Sequence, residues 1–154
     1  MKKMIFLALT LSAANAHAVC PASLNGSWSG SVVKTTNAAF GNAEGGMDQM
    51  PPITTNGTFT AIASGGTMTW TYYGESESGG WGGYQETTAA VSYPMTYERA
   101  TCRGVIDTGE RKIYFTVDDS GKEMRGVSNK KENGSFGQLQ ISSGESAMWN
   151  LRRQ

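Results

Sequence analysis

Asp118-Asp119 is the most conspicuous pair of carboxylates in this chain, and paired carboxylates can serve general acid-base catalysis or bind calcium. Neighbouring strand residues point to opposite faces, however, and Asp118-Asp119-Ser120-Gly121 has the composition of a plain hairpin turn. The spaced acidic ligands of a calcium loop are missing. His17 is the only histidine, and it falls in a segment expected to be removed. Without it, no Ser-His-Asp or Cys-His arrangement and no histidine-ligated zinc, copper or haem iron can be assembled. Carboxylates, tyrosines and lysines remain, but no convergent acid-base group stands out among them. The expectation is a non-catalytic protein with no catalytic residues, no metal and no cofactor.

Other spacings point to binding. Gly79-Gly80-Trp81-Gly82-Gly83 has the glycines of a phosphate loop but neither the lysine nor the helical sequel, so nucleotide binding has no support. Met68, Trp70 and Tyr72 alternate on one face of a strand, opposite Thr67, Thr69, Thr71 and Tyr73. If the sheet closes, that stripe points inward, where it either packs a core or lines a site for one small ligand. Trp81 and Tyr84 sit in or beside the most glycine-rich loop, where large aromatics either anchor a partner or ligand or fold back onto the domain. Three Asn-Gly-Ser/Thr triplets, starting at Asn25, Asn56 and Asn133, read as turn residues.

Met1 to Ala18 carries two lysines, an apolar run from Met4 to Leu11 and the ending Ala16-His17-Ala18, the layout of a bacterial-type secretory signal peptide. Cleavage after Ala18 would leave one domain, residues 19–154, exported to the periplasm or beyond. A lipid anchor on Cys20 is disfavoured by the bulky Val19. Loss of Lys2 and Lys3 leaves 11 basic against 13 acidic residues, so nothing attracts nucleic acid. No stretch approaches the ~20 apolar residues of a membrane-spanning helix, so no permanent span is expected. In an oxidising compartment the two cysteines, Cys20 and Cys102, should form a disulfide.

The elements that must hold these residues are strands. Runs over 26–35, 57–64, 67–74, 84–97, 101–107, 111–118, 122–129, 135–142 and 146–153 alternate with tight-turn signals. Those signals are Gly65-Gly66, Thr108-Gly109, Ser120-Gly121, Asn133-Gly134 and Ser143-Gly144. Ile113, Phe115 and Val117 share one face of their strand. Pro94 lacks a backbone donor, so its strand should bend or lie at an edge there. Residues 37–52 and 74–83 read as long loops. This cadence predicts an all-β, antiparallel up-and-down meander of about eight strands, closed as a barrel or, as the alternative, open as a two-sheet sandwich.

Gly26-Ser27-Trp28 at the start and Arg152-Arg153 at the end resemble the calycin group of lipocalin-like and avidin-like barrels. The resemblance implies a tryptophan closing one end of the barrel beneath a basic residue from the final strand, so either Arg152 or Arg153 could stack on Trp28. It also implies a small apolar ligand held inside, with Met68, Trp70 and Tyr72 as lining and Trp81 and Tyr84 near the entrance. The alternative function is a protein-binding module, such as a periplasmic inhibitor or immunity protein, acting through Ser76 to Tyr84. The sequence leaves the oligomeric state open.

Overall fold

The computed structural model describes residues 20–41, 46–76, 84–136 and 139–154. Residues 1–18, the expected signal peptide, lie outside them. Nine antiparallel strands follow in order: β1 (Gly26–Gly41), β2 (Met47–Gln49), β3 (Ile53–Ser64), β4 (Thr67–Ser76), β5 (Tyr84–Glu98), β6 (Arg103–Asp107), β7 (Lys112–Val117), β8 (Glu123–Phe136) and β9 (Leu139–Arg153). Each barrel strand pairs with the next, and β9 returns to pair with β1 along almost its whole length, from Trp28 opposite Arg153 to Phe40 opposite Ile141. The result is a closed eight-stranded barrel with β2 as a short extra strand on the upper edge of β1, past the end of its pairing with β3.

The turns form where glycine can adopt a left-handed backbone. Gly65 and Gly66 close the β3–β4 hairpin at φ of 57° and 80°, and Gly109 and Gly121 take φ of 80° and 68° at the next two predicted turns. Asn133-Gly134 and Ser143-Gly144 are not turns. β8 and β9 run straight through them, because Gly134 pairs with Ile141 and Gly144 pairs with both Asn37 and Lys131. Ladder pairing, with β9 at Asn133-Gly134 and with both β1 and β8 at Ser143-Gly144, outweighs the local turn preference. Asn56-Gly57 likewise lies within β3 rather than in a turn, opposite Val33 and Val32. Of the expected loop at 37–52, the first part continues β1 and residues 47–49 form β2. Of that at 74–83, residues 74–76 belong to β4, and the remainder lies outside the described residues.

β6 and β7 are the shortest barrel strands. β5 pairs with β4 up to Pro94 and with β6 only from Met95 to Glu98. Pro94 therefore sits where the strand changes partner and its missing N–H is not needed, which meets the expectation of an edge position. Beyond that point the upper part of β5 pairs only with β4 among the described residues.

The core fills the lower barrel. Trp28, Ala63, Met68, Ile106, Met124 and Leu151 are all at most 1% exposed, and Leu24 covers them from the segment before β1. Cys20 is bonded to Cys102 with Cα atoms 5.2 Å apart, stapling that segment beneath the barrel floor. The bond closes a loop with a sequence separation of 82, which on the chain-entropy account contributes about 4.5 kcal/mol. Trp28 donates its indole N–H to the Leu24 carbonyl at 3.0 Å. Arg153, not Arg152, lies over its ring; Arg152 points outward and meets Glu123 at 3.2 Å.

Candidate functional site: an outer groove and a charged mouth

Three consecutive cross-strand rows build a large concavity among the described residues. The middle row faces inward and alternates ring and glycine: Trp149 pairs with Gly126, Gly126 with Phe115, Phe115 with Gly104, and Gly104 with Tyr97. The glycines make room for the rings. A Cβ on Gly126 would stand 2.2 Å from the Trp149 ring, and one on Gly104 would stand 2.1 Å from the Phe115 ring. Alternating large and small residues is how a narrow barrel is packed without voids.

The neighbouring row faces outward and is apolar. Val33 pairs with Met148, Met148 with Val127, Val127 with Tyr114, and Tyr114 with Val105. Val33, Met148, Val127 and Tyr114 are 40%, 64%, 50% and 57% exposed. Among the described residues seven large apolar side chains are exposed, and four stand in this one row. Its ends are polar, at Asn56 beyond Val33 and Thr96 beyond Val105.

The row on the other side of the ring-and-glycine row is also outward and carries charge. It runs Ser31, Asn150, Arg125, Thr116, Arg103 and Glu98 in register. Together the three rows line an open, largely apolar groove of about 940 Å³ on the outside of the barrel. That volume lies within the span of small-molecule sites, roughly 300–1,000 Å³.

The lumen differs from this. Its lower part is packed, with Phe59 tilted on Trp70 at 5.2 Å, Trp70 on Tyr93 at 4.7 Å, and Phe59 stacked on Trp149 at 6.2 Å. Above the rings the inward positions turn polar. Lys34 bonds Glu86 across the barrel and lies 3.9 Å from Glu145, and Glu145 also bonds Arg111 from the β6–β7 turn. The Lys34 ammonium sits 5.7 Å from the centre of the Tyr72 ring. Thr55 and Ser128 are buried. Tyr97 carries a buried hydroxyl with no hydrogen-bond partner among the described residues, and burial pushes its phenol up, with Arg99 acting in the opposite sense.

The residues singled out from sequence fall in different places. Met68 is fully buried and Trp70 is 9% exposed, both within the hydrophobic core; Tyr72 packs against that core from the mouth side. Trp81 lies outside the described residues, as do all of residues 77–83. Ser76 ends β4 and Tyr84 opens β5, and the two are paired in register. Asp118 and Asp119 form the β7–β8 turn, where Asp118 accepts from the backbone amides of Lys122 and Glu123 at 2.8 and 2.7 Å. The groove residues were missed because each is one apolar residue on an otherwise polar strand face. Only the register brings them together.

Among the described residues no cluster of three His, Cys, Asp or Glu side chains could hold a metal ion, and no helix is long and apolar enough to cross a membrane. No protein-family model, no curated protein and no solved structure matches this chain.

Proposed function

We propose that this chain is an exported, non-catalytic β-barrel that binds a small apolar ligand, and that the ligand sits in the outer groove rather than in the lumen. The apolar row of Val33, Met148, Val127, Tyr114 and Val105 carries this reading. Contiguous exposed apolar surface on a domain of this size commonly marks a site of interaction. Concavity and small extent favour a small ligand over a protein partner. A standard protein interface recruits roughly 20–30 residues on each side, whereas this strip is one residue wide and bordered by the polar and charged row that runs from Ser31 to Glu98.

The lumen is a poorer host, since its rings pack on one another and its mouth is cross-linked by Lys34, Glu86, Glu145 and Arg111. Export is supported by the leader-like residues 1–18 and by the bonded cysteines, a chemistry of oxidising compartments. The Gly26-x-Trp28 start beneath Arg153 supports likeness to the calycin group, with the ligand relocated to the outer wall.

An uncharged fluorophore such as N-phenylnaphthylamine tests the site. The wild type should raise its emission, and Met148→Glu combined with Val127→Lys should abolish the rise without lowering the melting temperature. Thr88 of β5 pairs with Tyr72 on the mouth side of the core, and Thr88→Trp, which would narrow the mouth there, should leave the rise intact. Emission that survives the double change and disappears with Thr88→Trp would return the ligand to the lumen.

A further inference from the structure

Resting on the reading of the groove as a ligand site, we infer that its ligand is a free anionic amphiphile, with an extended acyl chain along the apolar row and a carboxylate-like head held by Arg103 and Arg125. The two arginines are outward residues on β6 and β8, and Thr116 of β7 pairs with both, so it stands between them. Both lie two residues along their strands from members of the apolar row, Val105 and Val127. The head site thus borders the chain site on one wall of the groove.

The local charge balance favours an anion. Among the described residues Arg103 has no carboxylate within ion-pair distance. Glu123 is shared between Arg125 at 3.1 Å and Arg152 at 3.2 Å, leaving those two guanidiniums with one carboxylate. Glu98 opposes the anion from the far side of Arg103, but its Oε2 accepts a hydrogen bond from Thr101 at 2.7 Å. Three arginines therefore face two carboxylates along this wall. A guanidinium is suited to a planar, two-oxygen head because its N–H groups form a fixed fork.

The chain site has the length for an acyl tail. Five strands at about 4.8 Å spacing make a strip of roughly 19 Å. The strip is one residue wide and bordered on one side by the charged row, which fits a single chain laid along it, whereas docking on a bilayer calls for a broad apolar face. The occupant is therefore a free amphiphile rather than a lipid within a membrane.

The test titrates the full-length secreted protein with dodecanoate and, separately, with the uncharged dodecanol, by calorimetry at low salt. Dodecanoate should bind more tightly. Arg103→Gln should weaken it roughly tenfold, the worth of a charge-assisted hydrogen bond, and leave dodecanol unchanged. Added salt should weaken dodecanoate alone. Met148→Glu should abolish both, with the melting temperature of each variant confirming that it folds. Equal binding of the two probes with no effect of Arg103→Gln would overturn the anionic head and leave the apolar groove standing. Binding of neither probe would overturn the groove itself. Sedimentation with anionic phospholipid vesicles without binding of dodecanoate would overturn the free amphiphile in favour of a membrane surface.

Discussion

The guanidinium carbon of Arg153 stands 5.7 Å from the centre of the Trp28 ring, and the same guanidinium donates to the Asn25 carbonyl. One side chain from the last strand thereby seals the first strand and the segment leading into it. Trp28 is 1% exposed at the barrel floor, so Trp28→Ala should cost about 3–5 kcal/mol of unfolding free energy in urea titrations. Arg153→Gln should cost about 0.5–1 kcal/mol through the lost cation-ring contact. Arg152→Gln, on the solvent side, should cost close to nothing.

Gly126 lies directly beneath the Trp149 ring, and a methyl group there would stand 2.2 Å from two ring atoms. Gly126→Ala should therefore destabilise by about 1–3 kcal/mol even though alanine suits a strand better than glycine does. Trp149→Leu added to it should restore part of the loss. A thermal melt of the single and double variants reads both effects.

Lys34 has a side chain only 12% exposed and faces Glu86 and Glu145 at once. Removing it takes an ion-pair partner from Glu86 across the barrel, while Glu145 keeps Arg111. Lys34→Met should cost about 2 kcal/mol, since the site is only partly shielded from water. Glu86→Leu added to Lys34→Met should recover part of that in chemical denaturation, because the carboxylate that faced Lys34 is removed with it.

Asp118 gives the fold an acid-sensitive turn. Burial acts to raise its pKa, but hydrogen bonds from the Ser120 hydroxyl and from the amides of Glu123, Lys122 and Ser120 together hold it below the usual carboxylate range. A depressed folded-state pKa means that the stabilisation is complete above the unfolded value, about 3.9, and is lost as pH falls through the folded one. Melting temperature measured downward from pH 5 should fall less steeply in Asp118→Asn than in the wild type. The two should run in parallel above pH 5.

The barrel was legible because its punctuation was local. Gly65-Gly66, Thr108-Gly109 and Ser120-Gly121 combine turn composition with positive-φ glycines, and β7 shows strict alternation, with Ile113, Phe115 and Val117 inside. Asn133-Gly134 and Ser143-Gly144 carry the same composition, yet a partner strand on each side of β9 held the chain extended. The stripe of Met68 and Trp70 was correctly placed on the inner face, but a stripe cannot tell filled space from empty space. The groove was invisible for a geometric reason. Val33, Val105, Tyr114, Val127 and Met148 lie on five strands, and pattern within one strand says nothing about register between strands.

The seam between β1 and β9 bears on the order of events during folding. Every other pairing in the barrel joins strands that follow one another along the chain, apart from the step over β2, and such hairpins close small loops quickly. The seam joins opposite extremes: Ser29 and Gln154, bonded side chain to side chain, are 125 residues apart in sequence. Its closure entropy is the largest in the molecule and is recovered only once the intervening strands are in register. Sealing the seam is thus expected to be the slow step, which refolding rates of a variant weakened at the seam would check. Until it closes, β1 and β9 expose unpaired edges, the form in which this chain is most open to pairing with another copy of itself.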